Sequence, residues 1–211
     1  MKFITSLIVA FIVCVSNVFA TAQTPDYVIY EGEKYDLFTN PLDSFFEKNP
    51  DKKPESHSSG NWRGYIATFA VTNNTLVLKS IETEVYTNDT YSTVSIKEKV
   101  FANTDDQPIN WFTGVLTLPQ GEQVNYVHMG YGSTYENYIL LEVKNGELKK
   151  VRNLDSKEYE LFRNRQYEAF KKTKIYKDTV KKELGGSVTD RDERFMRSFF
   201  SGTYTSILLD E

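Results

Sequence analysis

Polar and apolar positions alternate through much of residues 27–152, then recur at near-helical spacing. In "WRGYIATFAVTNNTLVLKSIETEVY", Tyr65, Ala67, Phe69 and Val71 alternate with Ile66, Thr68 and Ala70. Leu76 and Leu78 resume the period of two after "TNNT". The pattern predicts a hairpin turning at Asn73-Asn74, because asparagine tolerates left-handed backbone better than most residues. "YVIYEGEKYDLFT" predicts a hairpin around Glu31-Gly32-Glu33, and "YILLEVKNGELKKV" one at Asn145-Gly146. "WFTGVLTLPQGEQVNYVHM" reads as a further hairpin across Pro119-Gln120-Gly121. "NPLDSFFEKNP" predicts one or two helical turns anchored by Phe45-Phe46, with Asn40 or Asp43 as the cap. The polar stretch 51–60 predicts an exposed loop, and "STVSIKEKVFA", within 87–108, fits a strand or a short helix.

From Ser156 the period changes. Tyr159, Phe162, Tyr167, Phe170, Val180 and Leu184 predict helix, with a break near Thr173 and a stop at Gly185-Gly186. "SVTDRDERFMRSFF" restarts a helix, with Thr189 and Asp192 at capping-box spacing and Phe195, Met196, Phe199 and Phe200 as its buried face. Strands followed by helices predict an α+β fold, an antiparallel β-sheet built from hairpins with C-terminal helices packed against it. We expect a single domain over 21–211, strand-rich in 21–152 and helical in 156–200.

The first residues change the picture of where the protein works. Lys2, an apolar run from Phe3 to Val15 and small residues after it have the layout of a secretory signal peptide, 1–20, cleaved after Ala20 or Ala22. The run is shorter than the ~20 apolar residues of a membrane span. The one cysteine, Cys14, lies inside it behind Phe11, Ile12 and Val13, a poor setting for lipidation. The mature chain then carries no disulfide, no thiolate nucleophile and no cysteine-ligated metal. We expect an exported protein, periplasmic or secreted, with no stable membrane span after cleavage. Charge is uneven: residues 21–143 hold 8 basic and 17 acidic side chains, whereas 144–183 hold 13 basic and 7 acidic. The basic stretch reads as a solvated helix face, so no nucleic-acid partner is expected.

"YVHMGYGSTYENY", residues 126–138, is the densest candidate for chemistry. His128, Ser133 and Glu136 supply the residue types of a hydrolase, but no glycine stands two after Ser133 as a nucleophile elbow requires. "GYG" lacks the third glycine and the lysine of a phosphate-cradling loop. The structural alternative is a turn in which Gly130 and Gly132 allow positive φ between two strands. A binding surface of Tyr126, His128, Tyr131, Tyr135 and Tyr138 lies between these readings and suits a protein or carbohydrate partner. No metal spacing joins His57 and His128, and Asp105 and Asp106 lack the alternation of a calcium loop, so neither metal nor cofactor is expected. Trp62 in "NWRG" and Trp111 in "NWFTG" each open an apolar strand; they read as core anchors, with a paired aromatic platform as the alternative. Asn73 and Asn88 stand in N-x-T sequons.

Together, "WRGYIATFAV", "NWFTGVLTLPQGEQVNYVHMGYGSTYENYILLEVKNG" and "RQYEAFKKTKIY" resemble a family of uncharacterised exported bacterial proteins. The resemblance implies a single-domain bacterial envelope protein and carries no activity, substrate or catalytic residue. The expectation is therefore an exported, non-enzymatic binding protein, for instance a periplasmic immunity-type inhibitor whose acidic strand region suits a basic partner. A hydrolase using His128 with Ser133 or Glu136 is the alternative.

Overall fold

The computed structural model describes residues 22–87 and 90–209; the expected signal peptide and the Asn88 sequon lie outside them. The chain is α+β, with nine strands in one sheet among the described residues and most of the helices after them. Strands β1 (Asp26–Tyr30), β2 (Glu33–Leu37), β3 (Ile66–Thr72), β4 (Thr75–Thr87), β7 (Gly114–Asn125), β8 (Thr134–Lys144) and β9 (Glu147–Asp155) follow the order β2-β1-β3-β4-β9-β8-β7. β5 (Thr90–Ser95) and β6 (Gln107–Pro108) both pair with β4. The sheet is mixed rather than wholly antiparallel, since β1 runs parallel to β3. The 28 positions between β2 and β3, which include α1 (Asp43–Lys48), give room for the crossover such a pair needs.

Three of the expected turns form as predicted. Asn73, Asn74 and Asn145 all have positive φ, as does Glu31 before Gly32. The ambiguous segment resolves into both options, strand β5 to Ser95 and then helix α2 (Lys97–Phe101).

The hairpin expected at Pro119-Gln120-Gly121 does not exist. β7 runs on to Asn125, with Pro119 opposite Tyr138, and the chain reverses only after it, through 126–133. β7 ends the strand path, where a residue without N–H costs the ladder least. Gly121, at φ +75, supplies a bulge instead of a turn.

The sheet curls until its ends meet. Phe38 N–H of the segment leaving β2 donates to Thr117 C=O of β7 at 2.9 Å, and Thr39 Oγ1 donates to Val115 C=O at 3.0 Å. The core fills the inside of this curl with Val28, Leu37, Phe69, Leu78, Ile81, Leu116 and Leu141, joined by Leu42 and Phe46 of the α1 region. Both faces of β8 are covered over 138–141, which accounts for the apolar run "YILL". On the outer face, Val115, Tyr138 and Leu140 pack against Tyr159 and Phe162 of α3 (Ser156–Phe170). An Asp155/Glu158 capping box starts α3.

Thr173 caps α4 (Lys174–Glu183) at the expected break, and the Thr189/Asp192 capping box starts α5 (Asp190–Phe199). α6 (Ser201–Thr205) follows. Of the face expected to be buried on α5 and just after it, only Met196 is buried. Phe195 and Phe199 are 39% and 40% exposed, because the third core cluster takes its other members from α3 and α6: Tyr167, Phe170 and Tyr204. No helix among the described residues is long and apolar enough to cross a membrane.

Candidate functional site

The turn 126–138 does not hydrogen-bond its three candidate catalytic side chains to one another. His128 is exposed and its Nδ1 is bonded to the Tyr126 hydroxyl. Ser133 Oγ accepts from Val127 N–H at 3.0 Å, and Glu136 Oε2 accepts from Glu122 N–H across the β7 bulge at 3.0 Å. Each of the three is bound to a different neighbour, and none is hydrogen-bonded to another. A base must reach its nucleophile to activate it, and this arrangement gives it no such contact.

The tyrosines of the turn divide in the same way. Tyr138 is buried at 1%, stacked on Tyr159 with ring centroids 3.4 Å apart, and burial pushes its hydroxyl up to about 12. Tyr131 is also buried, flat against Phe38 at 4.9 Å. Neither can meet a partner, which corrects the expected five-residue surface. Tyr135 is half-buried; Tyr126 and His128 are exposed. Gly130, at φ +54, lets the loop lie on the end of α5, where a β-carbon would come within 2.7 Å of Ser198 C=O. The turn holds the helices to the sheet.

Tyr131 leads into a buried polar cluster that the sequence pattern did not announce. Arg63, 1% exposed, donates to the Tyr131 hydroxyl, to Thr24 C=O at 2.9 Å and to Asp26 Oδ1 at 3.2 Å. Asp26, fully buried, also accepts from Ala67 N–H at 2.8 Å. Loss of hydration pushes Asp26 up to about 6, against the pull of Arg63 and the Ala67 N–H. For Arg63 burial opposes the charge, but Asp26 and the surrounding hydroxyls outweigh it and keep the guanidinium protonated. Tyr131 in turn donates to Asn40 Oδ1 at 3.0 Å, and the Tyr65 hydroxyl donates to Asp43 Oδ1 at 3.4 Å. Asn40 and Asp43 are therefore not helix caps: Leu42 holds the cap position of α1 and makes no side-chain bond there. The one hint in the sequence was a lone arginine set among apolar residues at the head of β3.

Asn40 and Asp43, the outer members of this cluster, line a groove. Alternation at 62–65 sends Arg63 and Tyr65 inward and leaves Trp62 46% exposed, so Trp62 is not a core anchor. Trp111 is half-buried, its ring 5.3 Å from Phe45 and its Nε1–H donating to Pro41 C=O at 3.3 Å. The two tryptophans line one groove of about 520 Å³ with Asn40, Asp43, Glu47 and Phe200. Segments around residues 40, 62, 111, 175 and 200 converge there. Beyond its rim, Trp62 stacks on Phe199 at 6.4 Å and Phe199 on Phe195 at 5.2 Å, a row of three exposed rings.

Asp43 and Glu47 are the charged residues of the lining. The Asp43 carboxyl turns toward Tyr65, and its lost hydration pushes it above the usual range, against Arg63. Glu47 is exposed and makes no hydrogen bond or ion pair among the described residues. No three His, Cys, Asp or Glu side chains cluster to hold a metal ion among the described residues.

Comparison of the chain with protein-family models, curated proteins and solved structures finds no match in any of the three. The chemistry of the groove therefore rests on its own residues.

Proposed function

We propose that this is an exported, non-enzymatic binding protein that holds its partner in the groove between Trp62 and Trp111. The observation that carries the reading is the convergence of two tryptophans, one strongly exposed, with two carboxylates in a single concavity. Pockets of this size with aromatic walls and a few polar groups are the usual form of binding sites. Exposed aromatic rings of this size are also the commonest source of binding energy at interfaces. The residues with hydrolytic potential, His128, Ser133 and Glu136, lie outside the groove and serve the turn, which favours binding over catalysis. Export follows from the leader pattern. A periplasmic immunity-type inhibitor is one concrete form, supported by the acidic balance of 21–143.

The test is capture from the host's envelope fraction, read by native mass spectrometry. The wild-type protein should retain a stoichiometric partner, and Trp62→Ala should lose it while unfolding at nearly the same urea concentration. Capture undiminished in both Trp62→Ala and Trp111→Phe would contradict the groove as the binding face.

A further inference from the structure

We infer that the groove takes the ammonium or guanidinium side chain of a basic segment in a partner protein. This rests on the binding reading above and names the chemistry of what is bound.

Among the described residues the lining carries two carboxylates and no lysine, arginine or histidine, so its charge is complementary to a cation. Asp43 and Glu47 stand four residues apart on α1, which puts them on one side of the helix. Arg63 lies outside the lining, held inside by its bonds to Asp26, Thr24 and Tyr131, and its pull falls on Asp43. The walls add Trp62, Trp111 and Phe200, and aromatic faces attract ammonium and guanidinium groups. Exposed Lys53 already sits 5.9 Å from the Trp62 ring centroid, so that face accepts a positive charge. Ile175, 51% exposed at the rim, offers apolar surface for the stem of a long basic side chain. The row Trp62–Phe199–Phe195 continues past the groove and gives the flanking residues of a polypeptide further contact, which a free amine would not use.

Trp62 and Trp111 are the two tryptophans of the chain, so intrinsic emission reports on this groove directly. The purified protein is titrated with a short acetylated peptide carrying two arginines, with the same peptide carrying citrulline, and with free arginine amide. The arginine peptide should change the emission saturably, at least tenfold more tightly than either other probe. Glu47→Gln should weaken that binding about tenfold without changing the unfolding midpoint, and Lys53→Gln, which removes a competing cation, should tighten it. Equal binding of the arginine and citrulline peptides, or indifference to Glu47→Gln, overturns the cation while leaving the binding role intact. Free arginine amide binding as tightly as the peptide overturns the protein source in favour of a small amine. No response to any probe, with envelope capture still dependent on Trp62, also overturns the cation alone; no response and no such dependence overturns both readings.

Discussion

The tyrosine-rich turn and the tryptophan groove are opposites in how they use their side chains. The turn packs a histidine, a serine, a glutamate and four tyrosines into 126–138, and it bonds most of them to itself or to the core. The groove draws on five separate segments and leaves Trp62 and Glu47 without hydrogen-bond partners for their side chains among the described residues. Local density of reactive residue types thus marks a structural joint here, whereas the surface suited to a partner appears only once distant segments meet. Beneath both lies the Arg63 cluster, which ties Tyr131 of the turn to Asn40 on the groove wall.

The comparison breaks most readily at that shared cluster. Arg63→Met should cost about 3–5 kcal/mol, because it strands Asp26 in the interior without its countercharge. Urea unfolding measures this, and a loss under 1 kcal/mol would show the cluster is not what holds the two regions together. Gly202→Ala comes next. A β-carbon there would lie 2.8 Å from the Tyr131 ring, which is pinned against Phe38 and cannot retreat. The expected cost is about 1–3 kcal/mol, the usual scale of overpacking. Tyr131 should also lose its protection against chemical modification in that variant.

How much of this was legible follows the same division. The hairpins at Asn73-Asn74 and Asn145-Gly146, the break at Thr173 and the Thr189/Asp192 cap were legible because each is decided by a few neighbouring residues. Pro119-Gln120-Gly121 carries the signature of a turn, yet it becomes a bulge because β8 pairs alongside it, a contact that sequence spacing does not encode. Phe195 and Phe199 obey helical spacing, but Tyr204 and Phe170 fill the place expected for them. The candidate site was legible only in part. The tryptophans stood out, but their convergence depends on the curl of the sheet and on α6 folding back over Tyr131.

Smaller effects sharpen the contrast. Asp26 holds its proton longer in the native state than in the unfolded chain, where its value is 3.8, since burial raises it to about 6. Its contribution to stability is therefore full below about pH 4 and drains away as the pH rises through 6. The stability of the wild type relative to Asp26→Asn should accordingly fall between pH 4 and pH 7, followed by thermal unfolding; a relative stability that rises would contradict this sign. His128→Ala, at an exposed position bonded only to Tyr126, should move stability by no more than about 0.5 kcal/mol. Envelope capture should be unchanged in it, and a lost partner would return the turn to consideration.

The most direct measurement is hydrogen exchange of the protein with and without its captured partner. Added protection should fall on residues 39–47, 111–113 and 200–206 around the groove, with none on 122–128. Protection confined to 122–128, with the groove amides exchanging as before, would contradict the account.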